Sequence, residues 1–129
     1  MNNTPQQDRN GTTATNGHAE PVEIWKARIF IREQGDERLS LQRVALAVKI
    51  SPNYLSEKFK KVTGENFVAY INRGRTEKAC ELLRNPSLRV SEIAFAVGFQ
   101  SLSQFNRVFK RLKGVSPKGL RQDFFSRNA

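Results

Sequence analysis

The sequence predicts an all-α chain in which two helix-turn-helix units are joined by a long helix. Three observations predict it. First, residues 41–64, LQRVALAVKISPNYLSEKFKKVTG, are repeated in outline by residues 90–114, VSEIAFAVGFQSLSQFNRVFKRLKG. Val44-Ala45-x-Ala47-Val48 matches Ile93-Ala94-x-Ala96-Val97 at an offset of 49. Phe59-Lys60 and Gly64 match Phe109-Lys110 and Gly114 at an offset of 50, so the second copy has one extra residue in its turn. Second, each copy reads as a short apolar helix, a tight turn and a longer basic helix, the pattern of a unit whose second helix can lie in a DNA major groove. Third, the segment between the copies keeps helical spacing throughout, and no segment alternates as a half-buried strand does.

The elements follow in order. Residues 1–20 are rich in Asn, Thr and Gln without aliphatic periodicity and are expected to be a disordered tail. From residue 21 to 129 the chain is expected to fold. Val22, Trp25, Ile29 and Arg32 recur at helical spacing, with Ile24 and Ala27 alongside. They predict a first helix over about 22–33, ending near Gln34-Gly35-Asp36, with Trp25 as its core anchor. Ser40 precedes a helix over about 41–48, with Leu41, Val44, Ala45 and Val48 on one face; its two alanines permit close approach of the crossing helix. Lys49-Ile50-Ser51 makes the turn, and Ser51 with Pro52 caps and opens the next helix. That helix turns Leu55, Phe59 and Val62 inward and stops at Thr63-Gly64. The first unit thus spans about 41–63.

Phe67, Tyr70, Ile71, Ala79, Leu82 and Leu83 predict a linker helix over about 66–83, broken by Asn85-Pro86. At roughly 1.5 Å per residue it is about 27 Å long, near the spacing of about 34 Å between successive major-groove segments on one DNA face. The second unit spans about 90–113. Ser91 with Val90 opens its first helix, and Gly98 supplies a left-handed position in the turn. From Ser101 a second helix turns Phe105, Val108, Phe109 and Leu112 inward. Val115-Ser116-Pro117 opens a last short helix, with Leu120 and Phe124 as packing residues.

Composition narrows the function. Net charge is +10 over 129 residues. Residues 1–20 hold Arg9 against Asp8 and Glu20, so the excess belongs to the folded part. Gln104–Arg121 contains Arg107, Lys110, Arg111, Lys113, Lys118 and Arg121 and no acid, a field that attracts phosphate backbones. One cysteine, Cys80, permits no intramolecular disulfide and fits a reducing cytosol; within EKACELL it reads as a small buried hydrophobe. The one histidine, His18, lies in the tail with no second ligand near it. There is therefore no Cys/His nucleophile pair, no zinc cluster, no phosphate loop and no cofactor signature, and an enzyme is not expected. Nothing resembles a signal peptide or a membrane span. An RNA-binding module fits the charge, but sequence-specific RNA readers present aromatics for base stacking, and the phenylalanines here are expected on inward faces.

AVGFQSLSQFNRVFKRLKGVSPKGLR resembles the C-terminal signature of the AraC/XylS family of bacterial transcription regulators. SPNYLSEKFKKVTG, followed by YI and R-x-x-K-A-x-x-L-L, resembles the first half of the same domain. The resemblance covers about residues 22–125. It implies seven helices, two recognition helices in adjacent major grooves, an asymmetric double-stranded DNA site and, most often, activation through RNA polymerase. About twenty polar residues precede the domain, so the chain looks like the short members that act as monomers in the cytoplasm, on the nucleoid. The other expectation is an interaction module that antagonises a full-length regulator. The chain departs from the family at Gly74 and Thr76, where bulky apolar residues are usual. The departure implies a bend in the linker helix, a closely packed backbone or simple tolerance.

Base reading is expected from the outward face near the start of each recognition helix. In the first unit these are Asn53, Ser56 and Glu57: Asn can pair with adenine, and a carboxylate can accept from cytosine N4. Glu57 alternatively pairs with Lys60 or Lys61. In the second unit, Ser103, Asn106 and Arg107 align with base-contact positions of the family; Arg107 suits guanine O6 and N7, Leu102 a thymine methyl, and Gln104 a base or a phosphate. Lys60, Lys61, Lys110 and Arg111 are expected on phosphates, together with backbone N–H groups at the helix starts near Ser40, Ser51 and Ser91.

Overall fold

The computed structural model describes residues 20–35 and 38–127. The expected disordered tail, His18 included, lies outside the described residues apart from Glu20, as does Asp36 after the first helix. Glu20 is ordered by an ion pair in which Arg28 Nη1 donates to its Oε1 at 2.6 Å. The described residues form seven helices and no strand: α1 (Val22–Glu33), α2 (Leu41–Val48), α3 (Pro52–Thr63), α4 (Phe67–Leu82), α5 (Val90–Ala96), α6 (Leu102–Lys113) and α7 (Pro117–Arg127).

Local chemistry explains the boundaries. The N-cap side chains of Ser40, Ser51, Asn66 and Ser101 each accept from a backbone N–H three residues on, at 3.0, 3.1, 2.8 and 3.0 Å. Each such cap is worth about 1 kcal/mol. Gly64 and Gly114 end α3 and α6 in the same left-handed conformation, φ 81° and 79°, and donate to Lys60 O and Lys110 O at 2.8 Å. At α5 the cap is Arg89, whose N–H donates to Glu92 Oε1 at 2.7 Å, so Ser91 lies inside the helix and is not its cap.

Two apolar cores result. Ile24, Ala27 and Ile31 of α1 pack with Val44 and Ala45 of α2, Leu55 and Phe59 of α3, and Phe67 and Ile71 of α4. Ala79 of α4 and the adjoining Leu83 pack with Ile93, Ala94, Val97 and Phe99, and with Phe105, Val108 and Phe109 of α6; Leu120 of α7 leans on this second core. Edge-to-face aromatic contacts tighten both, Phe59–Tyr70 at 4.8 Å and Phe105–Phe109 at 5.5 Å between centroids. Cys80 is half-buried at the rim of the second core, and burial pushes its thiol pKa up, away from a reactive thiolate.

Some inward faces differ from the sequence reading. Trp25 is no core anchor: it is 55% exposed, because α1 turns Ile24, Ala27 and Ile31 to the core. Val62 and Leu112, equivalent in the two copies, are both exposed, since the last turns of α3 and α6 run past their cores. Of the paired alanines, Ala45 and Ala94 are buried while Ala47 and Ala96 face out.

α4 joins the two cores, and one contact bridges them directly. Arg75 Nε donates to the Gly35 carbonyl beyond α1 at 3.0 Å. Gly98, in the turn of the second unit, sits against both groups: a Cβ there would lie 2.6 Å from Arg75 Nε and 2.8 Å from Gly35 O. Gly98 also has φ +109°, which L side chains rarely adopt. Gly74 is different. The helix is continuous through it, and among the described residues no atom from beyond its own helical turn lies within 4 Å of where its Cβ would project, so no other backbone packs against it. Thr76 is fully buried, and its hydroxyl has no hydrogen-bond partner.

Two substitutions should therefore act with opposite sign. Gly74→Ala should raise unfolding stability by about 0.5–1 kcal/mol by removing unfolded-state entropy at an open helical site. Gly98→Ala should cost at least about 1–3 kcal/mol from backbone strain, with steric displacement of Arg75 added. Urea unfolding followed by circular dichroism measures both.

Candidate nucleic-acid interface

α3 and α6 are built to one plan. Each has 12 residues, begins behind a capping serine and ends at a positive-φ glycine. At an offset of 50, Asn53 corresponds to Ser103, Ser56 to Asn106, Glu57 to Arg107, Lys60 to Lys110 and Lys61 to Arg111. All ten are exposed, on the sides of α3 and α6 away from Leu55 and Phe59, and from Phe105 and Phe109. Two equivalent stripes of polar and basic groups thus stand at the protein surface. Glu57 makes no ion pair with Lys60 or Lys61. Leu102 is 38% exposed in the first turn of α6.

The turns explain the change of offset. Ile50 N–H donates to Ala45 O at 3.0 Å, and Phe99 N–H to Ala94 O at 3.0 Å, so the first helices end alike. Lys49 takes a left-handed conformation, φ 63°, where the second unit has Gly98. The inserted residue is Gln100, whose N–H donates to Gln104 Oε1 at 3.1 Å. Gln104 therefore braces the turn with the oxygen of its side chain. Ser40 and Ser51 are exposed at the starts of α2 and α3, their hydroxyl oxygens already engaged in capping, while Ser91 is half-buried in α5.

The positive charge is not all at these helices. Lys113 Nζ donates to Glu77 on α4 at 2.8 Å, a bond that raises the lysine pKa. Arg121 donates through Nε to Leu83 O and through Nη2 to Asn85 O, both at 3.1 Å, tying α7 to the end of α4. Arg73 donates through Nε to Glu65 Oε2 at 2.9 Å and holds that carboxyl below the usual carboxylate range. Among the described residues Lys60, Lys61, Arg107, Lys110 and Arg111 make no ion pair.

Sequence reasoning passed over Tyr54. It is exposed in the first turn of α3, beside Asn53, with Lys58 Nζ 5.9 Å from its ring centroid. Its position equivalent to Gln104 was the available signal. Leu46 and Phe95, equivalent in the repeat at an offset of 49, are 80% and 54% exposed, an exposure that their apolar character did not signal. Among the described residues no three His, Cys, Asp or Glu side chains converge as metal ligands, and no helix is long and apolar enough to cross a membrane.

Comparison with known proteins agrees with this geometry. Residues 44–123 match the family model described as "Helix-turn-helix domain". The chain is 35% identical over 118 residues to the regulatory protein PocR of Salmonella typhimurium, covering 92% of this chain and 39% of PocR. It spans 35–39% of the length of the curated relatives it first matches. Among solved structures it resembles the C-terminal domain of AraT, a response regulator from Geobacillus stearothermophilus, with a TM-score of 0.78 and 34% identity over 82% of this chain and 88% of that one. The DNA-binding domain of AdpA, a global transcriptional factor solved with a target DNA, also has a TM-score of 0.78. It covers 81% of this chain and 95% of its own, and its 23% identity bears on fold alone. With its duplicated helix-turn-helix scaffold, its seven helices and these matches, the chain belongs to the AraC/XylS family of helix-turn-helix DNA-binding domains, which are not enzymes.

Proposed function

We propose that the chain reads an asymmetric duplex site by inserting α3 and α6 into neighbouring major-groove segments, and that it regulates transcription from that site. The observation that carries this reading is the repeated stripe: the same helical positions, exposed in both units, offer polar groups near the helix start and, further along, cations without an ion-pair partner among the described residues. Asn53, Ser56 and Glu57, and Leu102, Ser103, Asn106 and Arg107, are the base-reading set. Arg107 takes guanine through its planar fork. Lys60, Lys61, Lys110 and Arg111 neutralise phosphates, with backbone N–H groups near Ser40, Ser51 and Ser91 fixing register. Gln104 braces the turn and contacts DNA only through its remaining amide protons. The protein acts as a monomer, since two readers already lie in one chain, and activates through RNA polymerase.

Base and phosphate contacts separate experimentally. Arg107→Ala should weaken a selected duplex by about 1–3 kcal/mol and relax preference at one base pair. Competition assays on single-base variants of the site read both effects.

With on the order of 8 phosphate contacts, log affinity should fall with log salt at a slope of about −7, and Lys110→Ala should flatten it by about 1 while weakening all duplexes alike. Fluorescence anisotropy across a salt series measures this. A slope near zero would instead identify a module that works without DNA.

A further inference from the structure

A cavity of about 230 Å³ lies between α1 and the middle of α4; among the described residues its lining comes from those two helices and Gly35. Five cationic side chains surround it: Arg28, Arg32, Arg73, Arg75 and Lys78. Two are neutralised where they stand, Arg28 by Glu20 and Arg73 by Glu65. Arg75 is engaged with the Gly35 carbonyl. Arg32 and Lys78 have no carboxylate partner among the described residues. One wall is apolar, formed by Ile31 and Ile71, and the exposed Gly74 stands at its edge with open space where a Cβ would be.

Arg32 and Lys78, the two without a carboxylate partner among the described residues, gain from an anion placed near them. Guanidinium groups match the planar oxygens of carboxylate and the tetrahedral oxygens of phosphate. Apolar walls with a few convergent polar groups are the usual composition of small-molecule sites. At about 230 Å³ the cavity lies below the usual range of drug-sized sites and suits a small molecule. We propose that this cavity binds a compact organic anion, its oxyanion held by Arg32 and Lys78 and its carbon skeleton laid on Ile31 and Ile71. The occupant would lie beside Arg75, the residue that bridges the two units, and so bear on the contact that sets their relative placement. The site is independent of the proposed DNA reading, and its test does not require a duplex.

The whole chain is titrated with succinate, benzoate and inorganic phosphate by calorimetry and thermal melting, with ionic strength held constant by sodium chloride. One or both carboxylates should bind saturably at one site. Arg32→Gln and Lys78→Gln should each weaken that binding about tenfold or more, the loss of a charge-assisted contact. Gly74→Leu, which fills the cavity from an open position, should abolish it with helical circular dichroism retained. The two surface substitutions decide the matter if the leucine variant does not fold. No saturable binding, or a melting shift that matches sodium chloride and survives all three substitutions, overturns the site. Saturation by phosphate alone, insensitive to Gly74→Leu, overturns the organic ligand. Loss of duplex affinity in Arg32→Gln and Lys78→Gln, with anion binding unchanged, assigns the cluster to the DNA backbone and overturns the proposal.

Discussion

Helix α4 gives its first turns to one apolar core and its last turns to the other, and the separation of the two recognition helices is set by that sharing. Sixteen residues make a rod of about 24 Å. Phe67 and Ile71 anchor one end, Ala79 with the adjoining Leu83 the other, so neither unit can shift along the rod without exposing apolar surface. Rotation about the rod is opposed by the meeting of Arg75, Gly35 and Gly98, where a carbonyl, a guanidinium and a bare Cα occupy space that one methyl group would overfill. The middle of the rod is less well satisfied. Thr76 buries a hydroxyl without a partner, a local cost of about 1–3 kcal/mol that the two cores must offset.

Much of this fold could be read before any coordinates, because the repeat doubles each signal. Ser51 and Ser101, Gly64 and Gly114, Phe59 and Phe109 each confirm the role of the other. What escaped the sequence had specific causes. In α1 two interleaved stripes have helical spacing, Val22-Trp25-Ile29 and Ile24-Ala27-Ile31. The size of tryptophan favours the first, but the small Ala27 lets the neighbouring helix approach along the second. Val62 and Leu112 keep the apolar period beyond the point where a core exists to receive them. The Gly35–Arg75 contact links residues 40 apart by a main-chain oxygen, which no side-chain pattern records. Of the candidate interface, the exposed stripes were legible from periodicity alone. The bracing role of Gln104 was not, since it depends on where the N–H of the inserted residue points.

Net charge is similarly a coarse guide. The basic run from Gln104 to Arg121 divides on inspection into groups that face out, such as Lys110 and Arg111, and groups that hold the scaffold, such as Lys113 and Arg121. The second kind ties α6 and α7 to α4 and is therefore spent on structure. A further set of cations, between α1 and α4, belongs to neither recognition helix. One formal charge thus covers three physical uses, distinguishable only by what each side chain touches.

The inserted Gln100 has a consequence beyond its own turn. With it the two units differ in their turns as well as in their exposed helix faces, which carry Asn53, Ser56 and Glu57 in one and Ser103, Asn106 and Arg107 in the other. A dimer with a dyad axis presents the same face when flipped end for end. The two units of this chain have no such axis between their exposed faces, so turning the chain end for end does not restore the same surface. The molecule is built as an arrow: its two ends differ, and on the proposed duplex site that difference would fix one direction.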